Sequence, residues 1–351
     1  MKNVIFMEGF KSWPASTTFP TTLNTTFKPA FDRFLGRSDI TVYSTGTGTG
    51  KIVDNYDVEG TKYAGPLFGS SNYADGWMQF TLTPVENKRH YIGARIASKS
   101  FRNTTYAVVT SGTTDLVKPS SLIGGSFYYE IVVDTVKGTL DVYCNKSNVA
   151  SKKMSDLNIK IGAPTIFKVG SNSSSGPAPT STGLVVTDVY LAEEDITADN
   201  WVEPTIYGPV AVDSHQVTTV QADEFRTDAA TKEEAVAVPY TGVFTYVTKP
   251  LLTSNTGDVG RFTFRTVTEK QGILAAQYNV ISRRGTSSNA QLVGRLDDSA
   301  QITDLGTVTP VTTAEDKVTV MSKVINTTAN GEPLTSDYLN KTAVLLNSKE
   351  L

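Results

Sequence analysis

The chain has 351 residues, a length that suits two domains, with 39% apolar residues, 19% charged residues and a net charge of −3. Both fractions lie below the globular average, and Thr, Ser, Asn and Gly make up the difference; this excludes a helical protein built on Ala, Leu, Glu and Lys and points to strands joined by polar turns. Acidic and basic residues are interspersed, which leaves no basic stripe for nucleic acid and no polybasic patch for a membrane, while 15 Tyr and 15 Phe argue against disorder.

The opening Met1-Lys2-Asn3 is followed by only Val4, Ile5, Phe6 and Met7 before Glu8, too short an apolar run for an export signal. Nothing approaches the roughly 18 apolar residues of a membrane span. The expectation is a protein made in a cytoplasm and kept there unless a larger assembly carries it out. Next along the chain, Thr45-Gly46-Thr47-Gly48-Thr49-Gly50-Lys51 looks like a phosphate-binding loop. Its first Gly would have to fall at Thr45 and its magnesium-binding hydroxyl at Ile52, so it reads as a polar loop.

Period-two alternation bounded by turn residues marks the strands. It is clear at Trp77–Leu82, at His90–Ile96 and at Thr105–Val109. The strongest strand is Ser126–Asp134, which Lys137-Gly138 turns into Thr139–Cys144 as a hairpin. A Ser/Gly/Pro/Thr stretch, Ser171–Gly183, reads as an exposed loop, and Leu184–Leu191 as a core strand. The chain then runs through Glu193-Glu194-Asp195 and Trp201 to Tyr207–Val212, with a domain boundary near Asp213. Beyond it, Thr241–Thr248, Arg261–Thr268, Gly272–Arg283 and Ala290–Leu296 are strand candidates, with Arg284-Gly285 as a turn. Asp316–Ile325 fits a strand or a short helix, and Thr335-Ser336-Asp337 caps one or two helical turns through Leu345. The fold class is therefore all-β, with two β-sandwich domains, 1–212 and 213–351, and a short helical C-terminal tail.

No catalytic, cofactor-binding or metal-ligating residue can be nominated. The single Cys144 excludes an internal disulfide and reads as a small apolar residue on a strand. His90 and His215 read as surface or junction residues, and neither sits in a nucleophile-elbow sequence. Glu193-Glu194-Asp195 follows a strand and lacks the alternate spacing of a glycosidase pair, while Asp134 and Asp141 flank the hairpin singly. Calcium is the ion best suited to such loops, and Asp188, Glu193, Glu194 and Asp195 come nearest to a cluster, but they read as a solvated acidic loop. Of Trp13, Trp77 and Trp201, none marks a sugar-stacking face, and Trp77 reads as core or sandwich rim. The Asn-x-Ser/Thr matches at Asn24, Asn103, Asn145, Asn172, Asn326 and Asn340 read as chance in a Thr-rich chain.

Three stretches carry a family resemblance. They are Phe6-Met7-Glu8-Gly9-Phe10, the hairpin Phe127–Asp134 with Gly138–Tyr143, and Asp188-Val189-Tyr190-Leu191 followed by Tyr207–Val212. In this order they resemble the concanavalin A/laminin-G-like jelly rolls of tailed-bacteriophage virion proteins, over residues 1–212; the acidic turn after Leu191 departs from the family's Gly-rich one and leaves any ligand inference open. The resemblance implies a non-enzymatic virion component of the tail, baseplate, neck or capsid surface, assembled in a bacterial cytoplasm. Its partners would be other virion proteins and copies of itself, with Ser171–Gly183 and Thr17–Pro29 as contact segments. The alternative is a carbohydrate-binding adhesin for a host surface glycan, and a glycan hydrolase stands behind both.

Overall fold

The computed structural model describes residues 2–11, 18–19, 37–46, 50–68, 73–99, 108–112, 114–117, 125–171, 183–215, 217–221, 231, 259–268, 272–282, 290–309 and 319–350. The chain divides into two compact units, Met1–Asp32 with Ser38–Asp213, and Arg33–Arg37 with Ser214–Leu351. Both are built almost wholly of antiparallel strands, so the protein is all-β.

The first unit contains β1 (Asn3–Glu8), β2 (Thr18–Phe19), β3 (Ile40–Gly46), β4 (Gly50–Val58), β5 (Thr61–Phe68), β6 (Tyr73–Leu82) and β7 (Lys88–Ser98). It continues with β8 (Val108–Ser111), β9 (Thr114–Val117), β10 (Gly125–Asp134), β11 (Thr139–Cys144), β12 (Ser147–Lys153), β13 (Thr165–Ser171) and β14 (Leu184–Asp195). A nine-stranded sheet runs β12-β11-β10-β7-β14-β5-β4-β2 with β1 added on β14, and it packs over a five-stranded sheet, β3-β6-β13-β8-β9. β14 is shared: β5 pairs with Leu184 and Val185, while β1 pairs with Val189–Glu193. The predicted hairpin is in place, with Asp134 opposite Thr139 and Gly138 at φ +66°.

Alternation along β7, β10 and β11 gives the core its composition. Ile92, Ala94, Ile96, Ile131, Val133, Leu140 and Val142 share one face of the large sheet. Met78, Phe80, Phe167 and Val169 of the second sheet are buried as well. Apolar groups removed from water in this way are the main driving force of the fold.

The second unit holds β15 (Val217–Gln221), β16 (Val259–Phe264), β17 (Ala276–Ser282), β18 (Ala290–Asp297), β19 (Ile302–Val308), β20 (Thr319–Ile325), α1 (Ser336–Lys341) and β21 (Ala343–Glu350). A five-stranded sheet, β15-β16-β21-β18-β19, and the pair β17-β20 enclose Val220, Phe262, Leu296, Leu305, Met321 and Val344. Gly294 carries no side chain because an added Cβ would lie 2.5 Å from the Met321 methyl.

Several local expectations change. β3, β4 and β5 went unrecognised, and the Thr45–Lys51 stretch joins the end of β3 to β4 without a helix after it. Asp316–Ile325 is a strand where the structure describes it. Thr335 does cap α1, its Oγ1 accepting from Tyr338 N at 3.1 Å, but the helix ends at Lys341. Ala343–Leu345 is strand because β21 lies between β16 and β18 with Ala343 and Val344 buried, so sheet pairing overrides helix propensity there. Thr105–Ala107, Thr241–Thr248, Arg284-Gly285, most of Ser171–Gly183 and most of Thr17–Pro29 lie outside the described residues. No helix among the described residues is long and apolar enough to cross a membrane.

Candidate functional site

Along β10, β7 and β14 the second face of the nine-stranded sheet is buried too, but it is largely polar. Register places Asp134, Arg89 and Glu194 in one row across β10, β7 and β14, and Glu130, Gly93 and Tyr190 in another. Over these rows runs the segment 201–212, which has no regular structure and in which Pro204 and Pro209 lack the N–H needed for a ladder. Side chains of the sheet supply the hydrogen bonds instead.

Arg89 anchors the first row and is fully buried. Its Nη2 and Nε donate to Asp134 Oδ2 at 2.9 and 3.1 Å, its Nη1 to Glu194 Oε2 at 2.8 Å, and Nη2 also to Val202 O at 2.8 Å. Trp201 Nε1 donates to the same Asp134 oxygen at 2.8 Å, and Tyr91 OH to Glu194 Oε2 at 2.7 Å. Burial alone would raise the Asp134 pKa. Hydrogen bonds from Lys137 N–H, Trp201 and Arg89 outweigh it and hold the carboxyl below its usual range.

Lys2 occupies the second row. Its Nζ donates to Tyr190 OH at 2.9 Å, to Thr205 O at 3.0 Å and to Glu130 Oε1 at 3.4 Å. The ammonium also lies 3.6, 3.9 and 5.0 Å from the ring centroids of Tyr207, Tyr91 and Tyr190, an aromatic cage. Burial lowers its pKa to about 8 against the opposing pull of Glu130. Glu130 is held from three further sides: Tyr190 OH and Tyr207 N donate to Oε1, and Gly208 N to Oε2 at 2.7 Å. Gly93 makes this possible, since a Cβ there would lie 2.1 Å from the Tyr190 ring.

A third anchor forms where β14 bulges. Asp188 has φ +48°, and its Oδ2 accepts from Arg95 Nε at 2.7 Å while Oδ1 accepts from Val212 N at 2.9 Å. Arg95 Nη2 reaches Val210 O at 2.8 Å. Gly9 passes so close to this end of the segment that an added Cβ would lie 2.3 Å from Val212 O. The stretches that carried the family resemblance therefore meet in space: Glu8-Gly9-Phe10, Glu130 of the hairpin, Asp188–Leu191 and Tyr207–Val212.

The sequence-stretch of acids behaves otherwise than expected. Glu193, Glu194 and Asp195 lie inside β14 and are not a loop beyond it. Strand alternation sends Glu194 to Arg89 on one face and Glu193 to the other, where Lys88 Nζ donates to it at 2.8 Å. Asp188 is occupied by Arg95, so the acids nearest to a calcium cluster are dispersed among separate cations. Among the described residues no group of three His, Cys, Asp or Glu is placed to hold a metal ion.

His90 is 1% exposed, which corrects its reading as a surface or junction residue. Its Nε2 accepts from Val85 N at 3.0 Å, which assigns the ring proton to Nδ1, 3.4 Å from Glu193 Oε1. Burial lowers its pKa, with Glu193 opposing. Cys144 is half-buried on β11 and its thiol pKa is raised by burial. Trp201 and Trp77 are half-buried, with Lys137 and Lys168 ammonium groups 3.3 and 4.5 Å from their ring centroids; Trp13 lies outside the described residues. A sugar would have to displace a lysine to stack on either ring at that face.

No protein-family model matches the chain, and no curated protein matches it. Solved structures similar to it include an alginate lyase from Pseudomonas aeruginosa, at 12% identity over 44% of this chain and 86% of that one, with a TM-score of 0.26. Domain 4 of an extracellular arabinanase from Geobacillus stearothermophilus, in complex with arabinotriose, matches at 12% identity over 53% and 96%, with a TM-score of 0.29. The binding domain of Paraclostridial Mosquitocidal Protein 1 matches at 12% identity over 75% of each chain, with a TM-score of 0.32. Likeness at this level carries no argument about function.

Proposed function

We propose that the chain is a non-enzymatic structural protein of a bacteriophage particle, acting through protein–protein assembly at the tail, baseplate, neck or capsid surface. The observation that carries this reading is the use made of the polar face of the large sheet. Arg89, Arg95, Glu130, Asp134, Asp188 and Glu194 all bond to groups of their own chain, and most of them to the segment 201–212. Side chains held in this way stabilise a scaffold and are not presented to a substrate. The resemblance of residues 1–212 to virion jelly rolls supports that location, and symmetric self-association is the default for such scaffolds. β12, at one end of the nine-stranded sheet, exposes most of its side chains and offers an edge for another subunit.

The test is the solution mass of the purified protein by light scattering, with a glycan-array screen of the same sample. A stable oligomer without glycan hits is expected. A monomer that binds a defined sugar would overturn the assembly reading in favour of the carbohydrate-binding adhesin.

A further inference from the structure

Lys2 and Glu130 stand in an arrangement that goes beyond an ion pair. Both side chains are at most 3% exposed, their polar atoms are 3.4 Å apart, and the residues are 128 apart in sequence, Lys2 just before β1 and Glu130 on β10. An ion pair buried among tyrosine rings carries a desolvation cost that a neutral amide of the same two groups would not. Tyr190 OH bridges the pair, accepting from Lys2 Nζ and donating to Glu130 Oε1. Gly208 N–H points at the other oxygen, Oε2, from 2.7 Å, the distance at which a backbone donor stabilises a developing oxyanion.

We propose that Lys2 and Glu130 condense spontaneously in the folded protein to an intramolecular amide, cross-linking the start of the chain, just before β1, to β10 of the large sheet. A proton passes from Lys2 Nζ through Tyr190 OH to Glu130 Oε1, leaving a neutral amine beside a neutral acid. The Nζ lone pair attacks Cδ, and the C=O π pair moves onto Oε2, where Gly208 N–H holds it. A second Nζ proton follows the same relay to Oε1. The Cδ–Oε1 bond breaks as the carbonyl reforms, and Oε1 departs as water. One ammonium and one carboxylate give one amide and one water, so no oxidant, cofactor or activating group is required. In the product the amide N–H retains Thr205 O and the carbonyl oxygen retains Gly208 N–H, while Tyr207 N–H and Tyr190 OH give up the departing Oε1 as acceptor. The lowered pKa of Lys2 acts in the same direction by making the free amine accessible near neutral pH. The cross-link is independent of the assembly reading and stands or falls separately from it.

Intact-mass spectrometry of the full chain, unfolded after purification, tests this directly. The wild type is expected to weigh less than its sequence by one water, and the Lys2→Arg variant to show its full sequence mass. Trypsin is expected to leave Lys2 uncut within a branched peptide that carries Glu130. Tyr190→Phe is expected to slow bond formation by roughly a hundredfold or more, the scale of a lost proton relay. A wild-type protein that keeps its full sequence mass after prolonged incubation overturns the proposal. So does a water loss that persists in Lys2→Arg, which would place it elsewhere, as in a succinimide at Asp75-Gly76.

Discussion

One face of the nine-stranded sheet buries Ile92, Ile96, Ile131, Val133, Leu140 and Val142, while the other buries Arg89, Tyr91, Glu130, Asp134 and Tyr190 just as fully. The apolar face is held by many small, interchangeable contacts, so shaving one side chain leaves a small void and little else. The polar face is held by a few partners that depend on one another. Loss of Arg89 would leave Asp134 and Glu194 buried without their hydrogen-bonded counter-charge, and would free Val202 O as well. Covering the second face with an irregular segment is therefore stable only if each anchor is complete.

The sharpest way to break this contrast is Arg89→Ala, expected to lower stability by about 3–5 kcal/mol, the cost of stranding a buried ion-pair partner. Chemical denaturation followed by tryptophan fluorescence would report it, since Trp201 contacts the network through Asp134. Next, Trp201→Phe removes a single hydrogen bond to an ionised group and is expected to cost about 1.5–3 kcal/mol in denaturation followed by circular dichroism, since the reporting indole is gone. On the apolar face, Ile131→Val is expected to cost only about 0.5–1.5 kcal/mol, with the fold otherwise unchanged. If Arg89→Ala cost no more than Ile131→Val, the two faces would not differ in kind.

The smallest expected effect separates the faces by pH. His90 has a folded pKa below its ordinary 6.5, so its contribution is complete above pH 6.5 and is lost as pH falls through the folded value. Asp134 has a folded pKa below 3.8, so its contribution persists until pH falls below that value. Acidification is thus expected to weaken the His90 side first, because a protonated Nε2 would face the Val85 N–H as donor against donor. A His90→Gln variant should lack the early phase in a stability-versus-pH series and keep the later one.

How far the sequence could be read follows from the same contrast. The hairpin β10–β11 was legible because Phe-Tyr-Tyr-Glu-Ile-Val-Val-Asp alternates, ends in Lys137-Gly138, and faces a dry core on one side. β3 to β5 are hard to read because Ile40–Phe68 is rich in Thr and Gly, which blurs the alternation. The polar face was invisible for a physical reason: Arg89-x-Tyr91-x-Gly93-x-Arg95 reads as a strand with a solvated side. Only the return of residues 201–212 over it turns those positions into buried anchors. His90 follows the same rule: its charged neighbours Glu86, Lys88 and Arg89 in sequence suggest a charged surface, yet the ring is buried. The stretches that carry the family resemblance contain Glu8-Gly9-Phe10, Glu130 and Tyr207-Gly208, yet nothing in their spacing says that these residues would meet.

The central claim is that the segment 201–212 is locked to the sheet by buried side chains, and amide hydrogen exchange tests it most directly. The N–H groups of Gly208 and Val212, which donate to Glu130 and Asp188, are expected to exchange as slowly as those of the central strand β7. Exchange at the rate of a solvated coil would contradict the account and return the polar face of the sheet to solvent.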